Sequence, residues 1–385
     1  MAINTRSPRY ISTSNTDTSY TTLDIYIWEG SVTEVTTPKY SLRKYAISGS
    51  DWVGYEISEL IRDYIDTVFD GNYNGQSVWF KSTSNVYDSS NALLNTNNSS
   101  TQSAFDSYSY FEENESFSVT SKSLLISNRE MFVLADNNFR IPINTTTNPT
   151  ISFIKNGVLL SSQTLTSSSQ SSQQIEYVSV NGLSIDYDSF KSKVVLDSTN
   201  TQPTTFEDST CLRDFFKEFE IGEVDTVRVS GTDGLETIKI TTIDECKYEP
   251  KKVTFVNKFG VLQDMFFFKK SVESMTVEKE SYKANTRNQY DVYSISSHVN
   301  REFNVIGNES ISLSSGYLSQ EYNEVFKQLM LSEKVWVTNV TDTAVQVLPI
   351  NVKTSDITYK TSLNNKLVEY TIEFDNSYNT INNIR

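Results

Sequence analysis

The sequence predicts a mainly β protein built of several antiparallel β-sandwich or barrel domains with a few short packed helices. Three observations predict it. Thr, Tyr, Phe and Val are abundant and Ala is scarce, which suits pleated, half-buried surfaces. Aromatic residues make up 12 % and hydrophobic residues 37 % of the 385 positions, more than a disordered polar chain carries and enough for sizeable cores. Most apolar stretches alternate with polar residues at a period of two, and only three have helical spacing.

The first domain is expected over residues 1–125. Leu23, Ile25 and Ile27 alternate with Asp24, Tyr26 and Trp28, and Glu29-Gly30 turns the chain. Tyr40 to Lys44 reads as a strand. Ile57, Leu60, Ile61, Tyr64, Ile65 and Val68 share one face of a helix over 56–69, and Ser77 to Lys81 resumes strand character. Residues 82–118, rich in Ser, Asn, Tyr and Asp, read as a long surface excursion with little to bury. A central β-domain follows over 126–250. Asn156-Gly157 marks a hairpin, Ser161 to Ser172 an exposed loop, and Gly231 to Gly234 a turn between strands at 224–229 and 237–240. Leu212, Phe215, Phe216 and Phe219 predict a short helix. The last domain, 251–385, contains the most apolar run, Met265 to Phe268, which reads as a central strand buried on both faces. A helix is expected near 319–333, with Tyr322, Val325, Phe326, Leu329 and Met330 on one face. After a turn at 364–366, Val368, Tyr370, Ile372 and Phe374 alternate with Glu369, Thr371 and Glu373, as in a sheet with one wet face.

Charge and motif content narrow the function. Thirty-three basic against 48 acidic residues leave a net charge of −15, which disfavours phosphate backbones and hence sequence-specific nucleic-acid binding. No apolar run approaches the roughly 20 residues of a membrane span, and the opening MAINTRSPRYISTSN has no apolar signal core. The expected setting is therefore the cytoplasm in which the protein is made and assembled. None of the 13 glycines falls in a phosphate-binding loop pattern. A serine nucleophile would have only His298 as its imidazole base, and that residue reads as a surface or strand histidine. Cys211 and Cys246 lack CxxC partners and read as small buried hydrophobes. Asp186 with Asp188, and Asp244-Glu245, read as a solvated charged edge instead of a calcium loop. The sequence thus predicts no enzyme and assigns no catalytic, cofactor-binding or metal-ligating residue.

Several segments carry a resemblance. Arg6-Ser-Pro-Arg-Tyr-Ile11 is followed by Tyr55-Glu-Ile-Ser-Glu-Leu-Ile-Arg-Asp-Tyr-Ile65, and Lys252-Val-Thr-Phe-Val-Asn-Lys-Phe-Gly260 runs on through Gln263-Asp-Met-Phe-Phe-Phe268. Near the end come Leu331-Ser-Glu-Lys-Val-Trp-Val337, Pro349-Ile-Asn-Val352, Lys360-Thr361 and 366–374. Together these resemble structural proteins of tailed phages infecting Bacteroidetes, including flavobacterial and crAss-like phages; most of 82–200 lies outside the resemblance. It implies a virion protein of the tail, such as a tail hub, distal-tail or baseplate component, with a neck or connector ring as the alternative. It also implies partners: about six or twelve copies of the chain in a ring, and other tail or neck proteins. Tyr10, Tyr26, Trp28, Trp79 and Trp336 are candidate contact anchors, with ordinary core or sheet surface as the competing reading of each. A receptor- or glycan-binding adhesin is the opposing class and would display Tyr and Trp on 82–118. A depolymerase of the β-helix kind would show short strand repeats, which are missing.

Overall fold

The computed structural model describes residues 3–29, 32–47, 51–73, 77–116, 119–134, 139–165, 175–179, 224–243, 245, 247–285, 295–340, 345–358 and 367–381. The helix expected at 212–219, both cysteines, Asp186, Asp188 and the turn at 364–366 lie outside the described residues. Within them the protein is mainly β. The chain divides into two compact units: Met1–Asp244 with Thr254–Met265 and Glu321–Ser332, and Glu245–Val253 with Phe266–Gln320 and Glu333–Arg385. Sequence reading gave three consecutive domains, and each large sheet does draw its strands from one of those segments. Compactness divides the chain differently. A turn and a helix from the last third of the sequence belong to the first unit, because their side chains bond to residues of that unit.

In the first unit a six-stranded sheet runs Ile3–Asn4, Gln102–Phe105, Ser77–Tyr87, Tyr20–Glu29, Tyr40–Tyr45, with Leu93–Asn98 also pairing to Ser77–Tyr87. Leu23, Ile25 and Ile27 point inward and are buried, as their alternation requires. They meet the pair Tyr10–Ser14 and Trp52–Glu56 and the helix Ser58–Arg62 in one core that includes Val53, Tyr55, Ile61 and Phe80. This is a sandwich with one helical turn and a half in its second layer. Tyr55 is anchored inside it by a hydroxyl that donates to the Thr21 carbonyl at 2.7 Å.

The helix is shorter than the expected 56–69. Its last i→i−4 bond is Asp63 N–H to Glu59 O. Tyr64 and Ile65 then bond back only three residues, and the helix ends. Ile57, Ile61 and Ile65 are still buried, whereas Val68 is exposed. The periodic face survives in an extended turn because Arg62 is held by Asp106 at 2.9 Å and β-branched residues follow, which favour helix weakly. The surface excursion over 82–118 is also corrected. Residues up to Tyr87 continue a sheet strand, and Phe105 is fully buried with Val119, Leu125, Ile175, Phe259 and Val261.

A five-stranded sheet follows in the order Val158–Thr164, Thr150–Lys155, Thr226–Gly231, Gly234–Ile243, Glu130–Leu134. Asn156 and Gly157 have φ of +48° and +80°, so their tight turn joins the first two strands as a two-residue hairpin. The sheets are not wholly antiparallel: Glu130–Leu134 pairs parallel to Gly234–Ile243, and Ile3–Asn4 parallel to Gln102–Phe105. The last sheet is seven-stranded, ordered Leu262–Phe267, Lys251–Val256, Val335–Val340, Val345–Val352, Thr371–Asn376, Asn300–Ser314, Ser271–Lys283. Val368, Tyr370, Ile372 and Phe374 are buried as their alternation requires, but only Thr371–Asn376 belongs to this sheet, and Leu367–Val368 pairs with Leu318–Ser319 in a separate two-stranded one. The apolar strand Leu262–Phe267 is buried throughout but is terminal in the sheet, not central. At its start the Leu262 amide donates to the Tyr177 hydroxyl, and the Asp264 carboxylate accepts the Arg140 amide.

Ile61 has no exposed surface and lies in a cluster of aliphatic and aromatic side chains without a cation, so Ile61→Asp buries an unpaired carboxylate. The expected loss is about 3–5 kcal/mol of stability, read as a lowered denaturant midpoint. An unchanged midpoint would remove this core from the account.

Candidate functional site

The sequence assigns no catalytic group. His298 is exposed, and its carbonyl accepts the Arg301 Nε–H at 3.4 Å; no carboxylate or hydroxyl is bonded to its ring among the described residues. Among those residues no three His, Cys, Asp or Glu side chains converge as metal ligands.

The densest polar chemistry lies in the first unit, around the turn between Lys251–Val256 and Leu262–Phe267. Asn257 is fully buried. Its Nδ2 donates to the Leu125 carbonyl at 2.8 Å and to Gln263 Oε1 at 2.9 Å, while its Oδ1 accepts the Phe259 amide at 2.9 Å. Gly260 has φ of +75°, and a Cβ there would lie 2.5 Å from the Asp106 carbonyl carbon, so glycine alone fits. Asp264, also buried, accepts Thr254 Oγ1–H at 2.7 Å, the Tyr73 hydroxyl at 2.6 Å and the Arg140 amide at 3.1 Å. A second layer faces the helix Tyr322–Met330. The Lys258 ammonium pairs with Glu113 and lies over the Tyr110 ring, and the Lys327 ammonium lies 3.5 Å from the same ring centre. The Tyr110 hydroxyl donates to Glu324 at 2.6 Å, and Gln328 donates to the same oxygen at 3.0 Å. Burial, followed by this bond to Glu324, holds the Tyr110 hydroxyl far above the ordinary tyrosine range. Burial and the nearby Asp264 charge do the same to Tyr73, and burial pushes Tyr108 up to about 12. Asn257, Asp264, Tyr73, Tyr110 and Glu324 are bonded to one another or to nearby backbone, whereas the buried Tyr108 hydroxyl has no hydrogen-bond partner among the described residues.

The candidate anchors separate. Tyr10 is 58 % exposed. Trp28 is only 4 % exposed and stands opposite half-buried Trp79 across two paired strands; among the described residues neither buried indole N–H has a hydrogen-bond partner. Trp336 is 8 % exposed and lies opposite Pro349. Trp28 and Trp336 are thus largely buried within the chain itself. Tyr26 is half-buried under the Lys81 ammonium, 4.9 Å from its ring centre.

The surface that sequence reading missed is in the second unit. Ser271–Lys283 and Asn300–Ser314 form an antiparallel ribbon paired without interruption from Ser271↔Leu313 to Lys283↔Asn300, save one bulge near Glu278. At 13 residues the first strand is about 40 Å long, and every residue after Ser271 is exposed. It ends its sheet, so its outer edge has no paired strand among the described residues. Beyond Gly307 the ribbon is held by its own contacts: Lys279 with Glu302 at 2.9 Å, and Tyr282 edge-on to Phe303 at 5.6 Å. At its base an open cleft of about 360 Å³ is lined by Met275, Ile311, Val337 and Leu348, with Glu273 and Glu309 among its walls. The only sequence signal for this ribbon is negative: no Gly or Pro interrupts 271–283, yet neither face carries the apolar alternation of a buried strand.

Two outcomes follow from the buried turn. Gly260→Ala is expected to cost at least about 2 kcal/mol, since it combines a positive φ with overlap on backbone; a wild-type melting temperature would contradict this. The protonated forms of Tyr73, Tyr108 and Tyr110 are the ones the fold holds. Their stabilisation is complete below the ordinary tyrosine value of about 10 and is lost as pH rises through the higher folded values. The urea midpoint should fall between about pH 9 and pH 12, with tyrosinate absorbance appearing together with unfolding. Free titration of all tyrosines in the folded chain would contradict it.

Comparison with models of known protein families finds none that matches this chain, and comparison with curated proteins finds no similar one.

Proposed function

We propose that this chain is a structural protein of a phage virion, a tail component that meets copies of itself in a ring of the hub, distal-tail or baseplate kind. The observation that carries the proposal is the ribbon Ser271–Lys283/Asn300–Ser314: its first strand is exposed from Val272 onward and open along one edge among the described residues, while its second is exposed at its start and pairs on into the sheet from Ser310. An isolated ribbon of this kind is marginally stable and invites strand addition, so a protein that keeps one uses it against a neighbour. The resemblance of its opening, middle and closing segments to tail and neck proteins supplies the setting, in the virion after assembly in the host cytoplasm. A neck ring would use the same surface and differs only in position along the particle. The adhesin reading has less support: the described tyrosines Tyr87, Tyr108 and Tyr110 are half-buried, and no tryptophan occurs over 82–118.

Quantitative mass spectrometry of gradient-purified virions, referred to a capsid protein of known number, tests this. The expected stoichiometry is about six or twelve chains per particle. About three would favour a fibre or adhesin, and absence from virions would overturn the proposal.

A further inference from the structure

Two of the strands that end sheets among the described residues differ in charge. Tyr40–Tyr45 ends the six-stranded sheet, and Ser271–Lys283 ends the seven-stranded one. Residues 35–50 carry Lys39, Arg43 and Lys44 and no acid, in a chain with 15 more acidic than basic residues. None of these cations has a carboxylate partner among the described residues. Lys39 lies over the Tyr64 ring, Arg43 over those of Tyr20 and Tyr45, and Lys44 donates to the Gly54 carbonyl. On the other edge three glutamates, Glu273, Glu278 and Glu280, stand against two lysines, Lys279 and Lys283; Lys279 is engaged by Glu302, while Glu273 and Glu278 have no cationic partner among the described residues. Exposed apolar groups accompany both edges: Tyr45 and Ile47 on one, Val272, Met275 and Val277 on the other.

We infer that these edges are the two halves of one contact, in which the Tyr40–Tyr45 edge of one copy adds as a further strand to the Ser271–Lys283 edge of a second copy. This rests on the self-assembly reading above and names its surface. Strand addition satisfies the open backbone groups of both edges, and the charges choose the pairing. Joining like edges would set Arg43 and Lys39 against themselves, or Glu273 and Glu278 against themselves, whereas the unlike pairing sets cation against carboxylate. A contact between two different surfaces is head-to-tail and propagates from copy to copy, so it generates a ring when the rotation closes.

The test is sedimentation and light scattering of the full chain over a concentration series, with two exposed double variants checked for folding by circular dichroism. Lys39→Glu with Arg43→Glu makes both edges acidic, and Glu273→Lys with Glu278→Lys makes the ribbon edge basic. Wild type is expected to associate, more weakly as salt rises. Each variant alone should need at least about tenfold higher concentration. An equimolar mixture should associate again, because every contact in it joins unlike edges. The inference is overturned if the first variant associates as wild type does, if the mixture of folded variants stays monomeric, or if wild type itself stays monomeric to about 200 µM. In that last case several copies per virion would leave the ring standing on another surface. A single copy per virion would remove the ring whatever the solution result.

Discussion

Asn257 to Gly260 turn the chain inside the first unit, where water cannot serve the backbone, and most of that unit's order follows from satisfying this one turn. Asn257 closes the turn on itself and ties it to the carbonyl of Leu125. Gly260 brings it against the backbone at Asp106 and Ser107 closely enough that no side chain fits. Lys258 then reaches Glu113 and the Tyr110 ring, and through Tyr110 and Glu324 the helix at 322–330 is fixed. Buried polar networks of this kind are strong only when every member is satisfied. Asp264 meets that condition with three donors, two of them from residues more than a hundred positions away in the sequence.

Some of this was legible in the residues. The alternation at 23–27 and at 368–374 stated which side chains would be buried, because a strand with one wet face has no other way to distribute them. The helix at 322–330 was legible for the same reason at a different period. The helix at 56–69 was half legible: Ile57, Ile61 and Ile65 are buried as their spacing demands, but spacing does not say that the hydrogen bonding tightens after Asp63. What periodicity does not encode is partnership. Leu262–Phe267 was recognisable as doubly buried, yet its place at the end of a sheet and its bonds to Tyr177 and Arg140 join residues that no local pattern connects to it. Trp28 shows the converse limit, since it occupies the outward register of its strand and is buried all the same.

The ribbon at 271–314 obeys a different logic from the rest. Among the described residues the other exposed edge strands are shorter, while here twelve of thirteen residues are exposed and one edge is open. Glu278, Lys279 and Glu280 put charge along that edge, a feature that deters indiscriminate strand pairing while leaving a partner of complementary charge acceptable. The candidate site is thus poor in reactive groups and rich in geometry. The buried tyrosine and lysine cluster ties distant segments of the first unit together, whereas the long exposed strand lies in the second unit.

The discontinuous first unit also governs the order of events during synthesis. Its sheets are translated first, but the turn at 257–260 and the helix at 322–330 that complete it emerge only after most of the chain has left the ribosome. At about 5–20 residues per second, Phe105, Leu125 and their neighbours wait several seconds for Phe259 and Val261 to arrive. During that interval the nascent chain exposes an unfinished apolar layer, so chaperone occupancy and local ribosome spacing have a direct bearing on the yield of native protein.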